Sequence, residues 1–254
     1  MRTLGIDVAS KAARTAICSI RWGDGSARIE PLTTGGATDL EIRSRIERAD
    51  RVGLDIPLGW PSAFVDAVVE HHHRRPWTAS VNDEGMQALR LRETDRWITA
   101  TARRPSDRSA RCHPMSVSTN LIAIPAMRIA ALLGPCDRSG EGHVVEVYPA
   151  AALFVWDLPY RGYKGPGAAQ RAVRTEVVRR LREKTPWLIA DAADWHAVGE
   201  SDHVLDALIA SLIARAKHCG LCVECDDARS DRARREGWIA LPLHDALSRL
   251  ASGV

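Results

Sequence analysis

The chain has 254 residues and a formal net charge of +3, with 45% hydrophobic and 26% charged residues. This length suits one large domain, and the composition excludes a disordered, collagen-like or membrane-spanning protein. The sequence MRTLGIDVAS enters a strand-like run at once and lacks the apolar core of a secretion signal. We therefore expect a cytoplasmic protein with reduced thiols.

Hydrophobic periodicity and turn signals predict a meander of three strands followed by alternating helices and strands. The predicted strands are residues 2–8, 12–22, 26–32, 50–56 and 143–148, with a short one over 238–241. The predicted helices are residues 40–49, 62–73, 119–133, 150–156, 168–184, 202–218 and 244–250.

This order predicts one α/β domain over residues 1–254, with a mixed sheet and helices on both faces. It is similar to the strand order of the ribonuclease H-like fold. Residues 76–118 are rich in Arg and show no clear period. We expect them to form an irregular insertion.

Four acidic residues lie where a metal site built on a sheet would place them. Asp7 and Asp55 lie at or near strand ends, Glu146 lies within a strand, and Asp206 lies near the start of a helix. Each is flanked by apolar residues, and burying a lone carboxylate costs several kcal/mol. A bound cation would offset that cost for all four. A turn role for Asp55 and a buried salt bridge for Asp206 stay open.

Oxygen ligands of this kind favour Mg²⁺ or Mn²⁺. Two ions about 3.5–4 Å apart would activate water and stabilise the leaving oxygen of a phosphodiester. His203 lies three residues before Asp206, so both share one helix face. The run His203-x-x-Asp206-Ala-Leu resembles the final-helix motif of the Holliday-junction resolvases. His203 is predicted to support a ligand or shuttle a proton, or else to pack near the helix start.

A set of short segments in a fixed order extends the resemblance over nearly the whole chain. These segments are residues 5–7 (GID), 54–59 (LDIPLG), 92–95 (RETD), 146–149 (EVYP), 163–165 (YKG), 206–208 (DAL) and 236–242 (EGWIALP). In this pattern the chain resembles a bacterial and archaeal domain-of-unknown-function family, DUF429, described as predicted nucleases of ribonuclease H-like fold. The resemblance implies that fold and a nuclease activity.

Basic residues are candidates for contacting a nucleic acid. Arg92 is predicted to hold a substrate phosphate with Asp95 orienting it, or the two form a helix cap and a local salt bridge. Arg103 and Arg104 belong to a basic run that could follow a nucleic-acid backbone, although such runs are often simply solvated. Lys164 is either a phosphate contact or a solvated loop residue.

We therefore predict a metal-dependent phosphodiesterase or nuclease acting on DNA or RNA, with no membrane partner. One alternative is a nucleotide-binding or kinase-type module of the actin-like ATPase group, although residues 55–59 (DIPLG) do not supply its second phosphate loop. Another is an inactive binding protein of the same fold. Cys219, Cys222 and Cys225 have metal-like spacing, but a structural zinc site needs four ligands, so we do not expect zinc.

Overall fold

The computed structural model describes residues 1–77, 79–118 and 120–252, whose strands form one mixed six-stranded sheet. The strands are β1 (Arg2–Asp7), β2 (Ala16–Trp22), β3 (Ala27–Ile29), β4 (Arg51–Asp55), β5 (Val144–Glu146) and β6 (Leu188–Ile189). Their order in the sheet is β5-β4-β1-β2-β3-β6. Strand β2 runs antiparallel to both neighbours, and every other pairing is parallel. The predicted mixed α/β sheet is confirmed.

Eleven α-helices surround this sheet in the described ranges. They are α1 (Asp39–Arg48), α2 (Ser62–His72), α3 (Asp83–Arg90), α4 (Glu93–Thr101), α5 (Ala123–Leu133), α6 (Pro149–Val155), α7 (Ala168–Lys184), α8 (Ala192–Glu200), α9 (Asp202–His218), α10 (Asp227–Glu236) and α11 (Ala246–Arg249). In the part of the chain that the structure describes, none of the helices has the length and apolar character needed to cross a membrane.

The prediction that residues 76–118 are irregular is wrong for residues 83–101, which contain α3 and α4. Neither helix shows a long apolar period in the sequence. Each is marked at its start by a capping hydrogen bond. The Asn82 side chain accepts a hydrogen bond from the Gly85 backbone, and Asp95 caps α4 by accepting one from the Arg92 backbone. Thr78, in this segment, and Thr119, at the start of the helix predicted over 119–133, lie outside the described residues.

Three further differences concern short or polar elements. The predicted strand over 12–22 begins instead with a 3₁₀ turn, Ala12–Arg14, before β2. The elements β6, α8 and α10 were not predicted. Helix α10 buries only Ala233 and Glu236, so its sequence carries little apolar periodicity. The strand predicted over 238–241 is reduced to a bridge between Ile239 and Glu146.

Successive side chains of the central strands point to opposite faces of the sheet, so the sheet separates two hydrophobic cores. In β1, Leu4 and Ile6 pack with Val52 and Leu54 of β4 in a core that also contains side chains of α1 and α5. Helices α6, α7, α8 and α9 contribute to the core on the other face. Successive strand side chains point to opposite faces, so Asp7, next to Ile6, points toward the face of α9. Asp55, next to Leu54, does the same.

Helix α9 lies unusually close to the sheet because two facing strand positions are glycine. Gly5 of β1 and Gly53 of β4 are partners in the parallel register. A Cβ at Gly5 would lie 2.0 Å from the Ala207 carbonyl oxygen, and one at Gly53 would lie 2.4 Å from that of Ala210. The absence of side chains therefore lets the backbone of α9 touch the strands. Each glycine precedes an aspartate by two residues, which places both aspartates beside the start of α9.

Candidate metal centre

Three aspartates converge at the carboxyl ends of the two central parallel strands. Asp7 and Asp55 are register partners on β1 and β4, and Asp206 reaches them from the first turns of α9. One carboxylate oxygen from each lies within 4.8 Å of the other two. Asp206 is 1% exposed, and the other two side chains are mostly buried. These three residues could hold a metal ion.

Two side chains from the loop between α6 and α7 contact the cluster. The Lys164 Nζ lies 2.8 Å from Oδ2 of Asp206 and 3.9 Å from Oδ2 of Asp55. The Tyr163 hydroxyl donates a hydrogen bond of 2.8 Å to Oδ1 of Asp206. Half of the Lys164 side chain is exposed, yet its charged end lies against the acids. Lys164 is therefore neither a purely solvated residue nor a free phosphate contact.

Burial and mutual repulsion shift the protonation of these acids. Burial raises the pKa of Asp55 well above its ordinary value; Lys164 opposes the shift, and the charges of Asp206 and Asp7 add to it. Burial likewise raises the pKa of Asp206 to about 6, against the lowering effect of Lys164. Burial lowers the pKa of Lys164, but Asp206, Tyr163 and the other two aspartates together raise it more, and the net pKa lies well above the ordinary value. The cluster therefore favours positive charge.

The loop that carries Lys164 is held by residues that the sequence did not single out. The buried Arg174 donates to the carbonyl oxygens of Tyr163, Gly165, Gly199 and Glu200. Asp202 accepts a hydrogen bond from the Gly165 backbone. A signal for Arg174 was available, since it occupies the same face of α7 as the buried Val177, Val178 and Leu181.

His203 lies beside the cluster, as its spacing from Asp206 predicts. Its Nδ1 is 2.6 Å from Oδ2 of Asp7. This hydrogen bond raises the pKa of His203, which burial opposes. In the described residues its other ring nitrogen has no protein partner, and the ring lines the cavity at the site. The contact with Asp7, rather than helix capping, is the role the structure gives it.

Glu146 lies near the aspartates but has a different partner. Its carboxylate accepts two hydrogen bonds of 2.7 Å from Arg92 and one of 2.9 Å from the Leu58 backbone. It does not belong to the group of carboxylates that could share one ion. Its predicted role as a metal ligand therefore receives no support from this geometry, because its carboxylate lies outside the group that converges.

The predicted phosphate-binding role of Arg92 is also unsupported, because the guanidinium has no donor to spare. Its five N–H groups bind both oxygens of Asp95, both oxygens of Glu146 and the carbonyl oxygen of Glu236. Arg92 is 1% exposed and Asp95 is fully buried. The helix cap and local salt bridge, the alternative left open above, describe this pair.

The other predicted residues lie away from the cluster. Arg103 and Arg104 line a separate cavity with His244, and Arg104 is paired with Asp157 at 2.8 Å. The six cysteines are free thiols. Among the residues that the structure describes, the three aspartates are the only group of metal-type ligands that converges, so the cysteines at 219, 222 and 225 form no such site.

A cavity of about 260 Å³ opens onto the aspartates. Asp7, Asp55 and Glu146 line it, together with the apolar side chains of Met115, Leu121, Ile122 and Pro125. Arg14, from the turn after β1, also lines it. Within the described ranges no side-chain hydrogen bond or ion pair of Arg14 is found, and the residue is exposed. The sequence offered no signal that separates Arg14 from the many other arginines.

Fold and site together define a mixed α/β protein with an aspartate cluster, suited to a cation, at the ends of its central parallel strands. The sequence model of one family, described as "Protein of unknown function (DUF429)", matches residues 5–230. The chain belongs to this family, as its short motifs indicated. No curated protein and no solved structure matches it.

Proposed function

We propose that this protein is a metal-dependent phosphodiesterase of ribonuclease H-like fold that hydrolyses nucleic acid. The observation that carries the proposal is the convergence of Asp7, Asp55 and Asp206 within 4.8 Å, with Asp7 and Asp55 lining a cavity. The sheet supports the fold assignment. The antiparallel meander β1–β2–β3 is followed by β4 and β5 in parallel with β1, and β2 is the single reversed strand.

The donor set fits a hard divalent cation, because the ligands that converge among the described residues are all carboxylates. Mg²⁺ and Mn²⁺ are the proposed ions, held by Asp7, Asp55 and Asp206. When bound, such an ion polarises a phosphoryl oxygen and makes water a stronger nucleophile near neutral pH. The hydrogen bonds from Tyr163 and His203 orient two of these carboxylates, as groups behind metal ligands commonly do.

His203 is placed to move a proton. With Nδ1–H donating to Asp7, the neutral ring presents Nε2 as an acceptor, and the ring lines the cavity. A hydrogen-bonded imidazole whose pKa is raised by a carboxylate can accept a proton from water and later release it. His203 is therefore the proposed general base.

Arg14 is the proposed contact to the substrate phosphate. Of the described cations that line the cavity, Arg92 has all its donors bound and Lys164 is paired with Asp206. Arg14 alone keeps a guanidinium with no protein partner in the described residues, and guanidinium groups match phosphate oxygens in pairs. The apolar side chains that line the cavity would contact sugar and base.

The direct test is cleavage of end-labelled single-stranded and duplex DNA and RNA with Mg²⁺ or Mn²⁺, compared with EDTA. We expect metal-dependent products, and a loss of about a hundredfold or more in Asp7→Asn and Asp55→Asn. Asp231→Asn is the matched control, because this side chain is 81% exposed and lies in α10.

Cleavage that survives in both aspartate variants would contradict the proposal, since the activity would not come from this site. Hydrolysis of ATP but of no nucleic acid would favour the nucleotide-binding alternative. Absence of metal-dependent hydrolysis of every one of these substrates would count against a phosphodiesterase.

A further inference from the structure

A lysine ammonium lies inside the proposed metal centre. Lys164 Nζ contacts Oδ2 of Asp206 at 2.8 Å and Oδ2 of Asp55 at 3.9 Å. Oδ1 of Asp206 already accepts the Tyr163 hydroxyl. A positive group therefore shares the acids with any ion that binds there.

The position of this lysine is set by the backbone around it. Arg174 holds the carbonyl oxygens on both sides of Lys164, those of Tyr163 and Gly165, and Asp202 holds the Gly165 amide. A loop fixed on both sides keeps the backbone of Lys164, and therefore the base of its side chain, close to the acids. The lysine is thus built into the site.

The charge balance of the cluster suits one divalent ion. Three carboxylates and one ammonium leave two net negative charges, which a single divalent cation neutralises. A second ion would leave excess positive charge in a mostly buried site. The acid that could offset that charge, Glu146, is held in two hydrogen bonds by Arg92.

Resting on the function proposed above, we infer that the centre binds one divalent cation and that Lys164 supplies the positive charge that a second ion would otherwise bring. This differs from the pair of ions expected from the four acids in the sequence.

The test is the number and affinity of Mn²⁺ ions bound, measured by calorimetric titration and by electron paramagnetic resonance without substrate. We expect one ion per wild-type chain, with no spin coupling between ions. Lys164→Met should bind the first ion about tenfold or more tightly, or take up a second ion, because a repelling charge is gone. Lys164→Arg keeps the charge and should bind one ion.

Lys217→Met is the matched control. Lys217 is also paired with a carboxylate, Glu141, at 2.6 Å, and Glu141 is not one of the clustered acids. This variant should bind Mn²⁺ as the wild type does. Thermal unfolding of each variant without metal checks that it is folded.

Two coupled Mn²⁺ ions in the wild type would overturn this inference and leave the proposed function standing. Equal number and affinity in Lys164→Met and the wild type would overturn it as well. If neither the wild type nor Lys164→Met binds Mn²⁺, the metal-dependent function and the inference fail together.

Discussion

Replacing Arg92 with methionine tests whether a buried ion-pair network joins α4 to the sheet. Arg92 is 1% exposed, and its five N–H groups bind Asp95, Glu146 and the Glu236 carbonyl. Methionine fills much of the volume but leaves two buried carboxylates without their partner. Breaking a buried pair in this way costs about 3–5 kcal/mol. For a chain of this size we expect the melting temperature to fall by about 6–20 °C.

The assay is urea unfolding followed by circular dichroism near pH 7.5, with Arg179→Met as the control. Arg179 makes three hydrogen bonds to Glu176 and Glu183, but it and Glu183 are exposed and Glu176 is only half-buried. Exposed pairs contribute about 0–1 kcal/mol, so the control should lose little stability. The two arginines make a similar number of contacts with carboxylates. We expect removal of the buried Arg92 to cost far more stability than removal of the exposed Arg179.

The destabilisation should also depend on pH, with a sign set by Glu146. Burial raises the pKa of Glu146, and Arg92 opposes that rise, so removing Arg92 raises the pKa further. An acid whose pKa is higher in the folded state costs stability above its unfolded pKa, and that cost disappears as pH falls below it. The loss in Arg92→Met should therefore shrink from about pH 7.5 to about pH 4.5. A loss below about 1 kcal/mol, or one equal to that of Arg179→Met, would refute this account of the network.

Three further predictions concern the sheet, the substrate and the proton. Gly5→Ala should destabilise the protein strongly in the same unfolding assay, because its Cβ would lie 2.0 Å from the Ala207 carbonyl oxygen. The control is Gly199→Ala in α8, where a Cβ would meet open space, and it should be neutral or stabilise the protein by up to about 1 kcal/mol. Equal effects of the two substitutions would argue against close packing of α9 on the sheet. Arg14→Ala should weaken binding of a labelled oligonucleotide in Ca²⁺ and flatten the plot of log affinity against log salt by about 0.7–0.9. Arg104→Ala, in the other cavity, should leave that slope unchanged, and identical slopes in both variants would exclude Arg14 as a phosphate contact. In calorimetry, the affinity for Mn²⁺ should fall as pH drops below the pKa of Asp206, about 6, because protons then compete with the ion. An affinity independent of pH would contradict this.

Local patterns along the chain predicted most of the elements that build the site. The long helices α7 and α9 have the predicted bounds, because the apolar spacing and the end signals of each helix lie within one continuous stretch of sequence. Asp7 and Asp55 could be placed together because each ends a strand-like run, and the ends of neighbouring parallel strands meet at one edge. Helices α3, α4 and α10 are short, with 8, 9 and 10 residues, and each buries at most three side chains, so the sequence predicted no helix in any of the three.

The sequence by itself determined the mixed sheet, its central strands and the acidic residues at their ends, since these follow from periodicity over a few neighbours. Only the tertiary structure decided which acids share a site. Glu146 is paired with Arg92, 54 residues away along the chain, and Asp206 is paired with Lys164. Charge pairing depends on distance in space, so a local sequence pattern does not predict which distant basic side chain will pair with which carboxylate. The carboxylates of the three aspartates converge within 4.8 Å and remain the candidate metal ligands, whereas Glu146, the fourth predicted acid, lies outside that group.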